Sequence, residues 1–224
     1  MNGFSITAPT KKRTRLAPED RREQLVLIGA RMFAERPFND VWIEAVAEEA
    51  GVSRGLVYHY FPNKRDFYAA IVRHGIEDTY RLTEPDESLP TAQWLPASIN
   101  KFLDYVEANE NAFRAVHRGQ HSVDVEIQAV IREGHDKQVD RIANLVLPDD
   151  AKSPTLILAL EGWMSLSNAI ILDWLESRTI PRDQLIELLS GSLAGVIATA
   201  LTLLDRPDQI ELLMHLAPDV YNKR

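Results

Sequence analysis

The sequence predicts an all-α protein, with an N-terminal three-helix unit of helix-turn-helix type followed by a larger helical domain. Three observations lead there. Apolar residues recur at three- and four-residue spacing along most of the 224 residues, while alternating β-branched runs and hairpin dipeptides are absent. Two short helical signals, 41–50 and 53–60, are joined by Ala50-Gly51-Val52-Ser53. The charge is also split. Residues 1–66 carry eleven Lys and Arg against nine Asp and Glu, residues 67–224 fourteen against twenty-four, giving −8 overall. A basic head on an acidic body suits a chain that meets phosphate with one end only.

Residues 1–17 form a polar arm in which Lys11, Lys12, Arg13 and Arg15 cluster, with Arg21 and Arg22 just beyond. The arm holds no apolar core of signal-peptide length, and the chain has no cysteine, so a cytoplasmic setting without disulfides or thiolate chemistry is expected. Pro18, Glu19 and Asp20 open the first helix, with proline at its first position and acids at the positive end of its dipole. Its apolar face is Leu25, Ile28, Met32 and Phe33, and it stops near Pro37. The second helix ends at Gly51, where a left-handed cap costs glycine little. Ser53 caps the third. Asn63 with Asp66 reads as a capping box for a fourth helix over 64–82.

The polar, proline-rich stretch 83–90 is a loop. Helices are expected beyond it at 92–108, 109–118, 123–147, 154–177 and 181–205, with a short one near 208–216. Residues 18–66 thus form the head and 67–224 the body. Leu185 to Leu204 holds one charge, Glu187, and is long enough for a membrane span, but Ser190, Ser192, Thr199 and Thr202 favour a buried helix. Gly191, Ala194, Gly195 and Ala198 offer a small-residue ridge for close approach by helix 154–177 and its copy in a homodimer.

The segment 41–68 carries the chemistry. Val46, Ala47, Val52, Leu56, Val57 and Phe61 form an apolar knot that sets the third helix against a support, the arrangement by which such a helix enters the major groove of double-stranded DNA. Arg54 can donate twice to a guanine edge or a phosphate, and Gly55 lets the backbone come close. Tyr58, His59, Tyr60 and Lys64 are donors for phosphate oxygens. Taken singly, the tyrosines could equally be core aromatics. Grouped within seven residues of a glycine turn, they favour DNA.

The run AGVSRGLVYHYFPNKRDFY resembles the helix-turn-helix signature of the TetR family of repressors, and the likeness spans about 18–68. That resemblance implies an all-α dimer whose body binds a small molecule and thereby releases a pseudo-palindromic operator. It places DNA contacts at Ser53, Arg54, Gly55, Tyr58, His59, Tyr60 and Lys64. Two residues depart from the family pattern: Pro37 stands at a usual glycine, and Val41-Trp42 replace a Thr/Ser pair. Asp40 is the expected substitute cap for the second helix. The body resembles members responding to fatty or acyl compounds, and Trp94, Phe102, Phe113, His117, Trp163, Met164, Asn168 and Trp174 are placed near an effector pocket. For each of them a place in the core is the competing reading.

His117 and His121, with Asp124 nearby, have a spacing that could ligate a metal, but Gly119 interrupts the helix and no metal is expected. No cofactor loop, nucleophile elbow or paired catalytic carboxylate is present, so an enzyme is not expected. A helical enzyme and a membrane-associated interaction protein are the alternatives.

Overall fold

A computed structural model describes residues 16–36, 40–118 and 125–210, and among these the regular structure is helical without strands. The basic arm as far as residue 15, Pro37, Gly119, His121, Asp124 and most of the helix expected near 208–216 lie outside the described residues; 207–210 is helical.

The head follows the local signals closely. Helix α1 (Pro18–Glu35) starts on its proline and buries Leu25, Val26, Ile28, Gly29, Met32 and Phe33. Helix α2 (Ile43–Ala50) starts two residues later than the sequence suggested, and Asp40 does not cap it. The cap position is Trp42, whose carbonyl accepts from Ala45 and Val46 while Val41, at 3% exposure, is pulled into the core. Gly51 closes α2 in the left-handed region at φ 63°. Ser53 Oγ accepts from the Leu56 amide to start α3 (Arg54–Tyr60). Asn63 Oδ1 accepts from the Asp66 amide at 2.9 Å, and Asn63 Nδ2 donates back to the Asp66 carboxylate, opening α4 (Lys64–Leu82). The reciprocal bond therefore comes from the side-chain amide, where a capping box uses the backbone N–H.

Beyond the 83–90 loop come α5 (Thr91–Ala108), α6 (Glu110–Arg118), α7 (Val125–Val146), α8 (Pro154–Ser177) and α9 (Arg182–Leu203). α4 is shared. Its first turns pack under the head, where Phe67 and Tyr68 are buried, and its remainder lies along α7. Gly29 and Gly134 let α1 and α7 approach α4 closely: a Cβ on Gly29 would lie 2.5 Å from Phe67 and Ile71, and one on Gly134 would lie 2.3 Å from Ile76. The head core extends into α7 through Ile127, Val130 and Ile131, so the residue 66–67 boundary read from the sequence falls inside a continuous helix.

α8 and α9 are each long and apolar enough to cross a membrane. In the fold they pack on each other, with Leu156, Leu160, Trp163, Leu193, Ala194 and Ile197 in one core. The small-residue ridge divides: Ala194 is fully buried, while Gly195 is exposed and a Cβ there would meet nothing within 4 Å. Ion pairs tie the outer helices together, Arg182 to Glu107 and Asp104, and Arg114 and Arg118 to Glu176.

Candidate nucleic-acid interface and ligand cavity

α3 is short, so its orientation depends on what it packs against. Val57 is fully buried among α1, α2 and α4, and Phe61 packs at a tilt against Phe67 with ring centroids 4.9 Å apart. That anchoring turns the opposite face of α3 outward. Arg54 is exposed, pairs with Glu44 of α2 at 2.8 Å, and lies over the Tyr58 ring at 5.2 Å. Hydrogen bonding to Tyr58, with Glu44 beside it, raises its already high pKa, so the group presented is a fixed cation. Gly55 faces open space, with only Ser53 Oγ at 3.9 Å from a hypothetical Cβ. Ser53 is engaged as the cap. His59 is exposed, and Tyr58 and Tyr60 are half-buried, resting their rings on the head core. The rings of both tyrosines therefore pack, as the core reading expected.

Lys64 stands beside this surface, its ammonium 5.4 Å from the Trp42 ring. Partial burial lowers the Lys64 pKa and Asp40 opposes that shift. Trp42 is 63% exposed. A large aromatic in water next to a cation, at the start of the supporting helix, is a surface feature that the sequence did not single out. Its only sequence signal was a bulky residue in place of a small hydroxyl one.

The body holds a partly open cavity of about 690 Å³. Seven of the eight residues placed near a pocket line it: Trp94, Phe102, Phe113, His117, Trp163, Met164 and Asn168. Trp174 does not. Its indole donates to the Ile180 carbonyl at 2.9 Å and stacks under Arg178, fastening the end of α8. Trp163 is fixed from behind, its indole N–H shared between Leu189 O and Ser192 Oγ. Phe113 lies edge-on to Phe102 and 4.5 Å from the His117 ring.

Two walls were not anticipated. α4 supplies Tyr68, Gly75, Thr79 and Thr83, and α7 supplies His135, Gln138 and Arg141. The available signal was a run of polar residues at helical spacing, 135, 138 and 141, on an otherwise apolar face. Burial, with His135 beside it, pushes the His117 imidazole down to about 4. Burial likewise lowers His135 and raises Tyr68 and Tyr105 to about 12. At neutral pH these four groups face the cavity uncharged. Among the described residues no three ligating side chains come together for a metal ion.

A helix-turn-helix head followed by a larger helical body is shared with known proteins. Residues 28–71 match the family model for bacterial regulatory proteins of the tetR family, and residues 91–196 match the tetracyclin repressor-like C-terminal domain. The chain belongs to the TetR family of transcriptional regulators. A TetR-family regulator from Streptomyces coelicolor superimposes with a TM-score of 0.76 at 27% identity, covering 89% of this chain and 90% of that one. The transcriptional activator FasR of Mycolicibacterium smegmatis is 23% identical over 186 residues, 79% of this chain and 83% of its own. The FadR regulator of Bacillus subtilis, solved with stearoyl-CoA, shares the fold at a TM-score of 0.56 and 16% identity, covering 78% of this chain and 97% of its own. Family and fold are those of regulators and not of enzymes.

Proposed function

We propose that this TetR-family regulator is a ligand-relieved repressor: a cytoplasmic homodimer that holds a pseudo-palindromic operator and lets it go when a small apolar effector fills the body. The observation that carries this reading is the double duty of α4. Tyr68 packs against Phe33 under the reading head, ring centroids 5.1 Å apart, and also lines the cavity. The cavity wall then follows α4 to Thr83, about 22 Å at 1.5 Å per residue. A ligand that favours one setting of this wall favours one setting of the head, and by reciprocal linkage alters DNA affinity.

Ser53, Arg54, Gly55, Tyr58, His59, Tyr60 and Lys64 are the proposed DNA surface, with Arg54 toward base edges and Lys64 toward phosphate. The dimer is proposed across α8 and α9, where Leu158 is 70% and Leu203 73% exposed in the single chain and Gly162 and Gly195 leave room for close approach. Effector-induced release is supported by the cavity's apolar walls, and an acyl effector by the likeness to a regulator solved with stearoyl-CoA.

The test is fluorescence anisotropy on an operator selected from random DNA, titrated with apolar and acyl compounds. A coupling of about 1–3 kcal/mol, read as weaker operator binding, is expected. Phe113→Ala should alter effector affinity while leaving effector-free operator binding intact. A ligand that binds tightly without changing operator affinity refutes the effector reading and leaves the DNA-binding one standing. A promoter fusion that falls silent without the protein refutes repression in favour of activation.

A further inference from the structure

Among the charged groups on the cavity wall, Arg141 differs from the rest. Asp78 already has a cationic partner in Arg81, with His74 Nε2 also 3.0 Å from its carboxylate. Arg141 of α7 reaches across to the end of α4, where Nη1 donates to Tyr80 O at 2.6 Å and Nη2 to Thr83 Oγ1 at 2.7 Å and Thr83 O at 3.2 Å. Gln138 Oε1 is a further acceptor, and the guanidinium lies 4.2 Å from the Tyr80 ring centroid. Each of these partners is neutral. Glu84 is near enough to favour the charged form but makes no ion pair with it, and burial lowers the pKa. A guanidinium has five N–H donors. Its Nε–H and one hydrogen of Nη1 make no protein hydrogen bond here. A half-buried cation with spare donors and no carboxylate, on the wall of a mostly apolar cavity, has the shape of half a binding pair.

We propose that Arg141 reads an anionic headgroup, a carboxylate or phosphate, on an otherwise apolar ligand lying in this cavity. The inference rests on the effector reading above and adds the headgroup. It also supplies a coupling. The Arg141 bonds to Tyr80 and Thr83 hold the last turn of α4, where the carbonyl dipoles point. An anion competes with those carbonyls for the same guanidinium, so occupancy loosens the far end of the helix whose other end supports the reading head.

The experiment is calorimetric titration of the full chain with three probes of one length: dodecanoate, dodecyl phosphate and dodecanol. At least one anion should bind about 10- to 100-fold tighter than the alcohol, the range for hydrogen bonds to a charged partner. Which anion binds tighter identifies the headgroup. Arg141→Gln should erase that preference, the anion and alcohol affinities converging, while dodecanol still binds, which shows that the cavity is intact. Arg141→Lys, a point charge without the fork, should keep part of it. Thr83→Val removes one competing acceptor and should keep or increase it, so a poorly folding Arg141→Gln variant would not leave the question open. A preference that survives Arg141→Gln, or is absent in the parent, overturns the proposal. If all three probes bind equally and release operator, the headgroup inference alone falls. If none displaces a neutral dye from the cavity, the effector reading falls with it.

Discussion

His117 offers a test of the cavity that needs no ligand. Its imidazole is held at about 4 by burial first and by His135 second, against about 6.5 for an unfolded histidine. The folded value is the lower one. The unfolded chain therefore binds the proton more readily, and the contribution to stability is complete above about 6.5 and is lost as pH falls from there toward 4. At pH 5 the unfolded state gains a factor of about 30 from protonation, worth about 2 kcal/mol relative to pH 7. His117→Phe keeps a ring against Phe113 and removes the titration. Urea unfolding followed by circular dichroism, at one fixed protein concentration, should show the parent losing about 2 kcal/mol more than the variant between pH 7 and 5. Glu133 and Asp149, held below the usual carboxylate range by their Arg and Lys partners, titrate in both proteins and cancel in the comparison. Equal pH dependence in parent and variant would refute the placement of His117 in a low-dielectric wall.

Two further outcomes are expected. Arg54→Ala should weaken operator binding by about 5- to 150-fold and relax one base position, whereas Lys64→Ala should weaken specific and non-specific DNA alike and lower the salt slope by about one; gel shifts over a salt series separate the two. Gly195→Leu points a large side chain into what is open space in the single chain and should shift the population to monomers by sedimentation velocity, an intact dimer moving the interface off α9.

Local chemistry by itself determined the helices and most of their ends. Proline at the first turn of α1 and α8, glycine after α2, serine before α3 and asparagine before α4 act within a few residues, so they are legible in one dimension. The outward face of α3 was legible for the same reason, because α2, the turn and α3 are contiguous and their apolar knot fixes which face turns outward. Asp40 failed as a cap because Val41, a neighbour in sequence, is claimed by the distant core. The cavity was legible only in part. An aromatic at helical spacing looks alike whether a helix or a void lies opposite, so Trp163 and Trp174 were indistinguishable until packing put one against the cavity and the other against Ile180. Tertiary structure alone decided that α4 and α7 share the wall, that Ala194 faces in while Gly195 faces out, and that Arg141, sixty-one residues from Tyr80 in sequence, caps its helix. Each of these depends on how separate helices cross. The pattern along one helix states which faces must be covered, and only the packed assembly states what covers them.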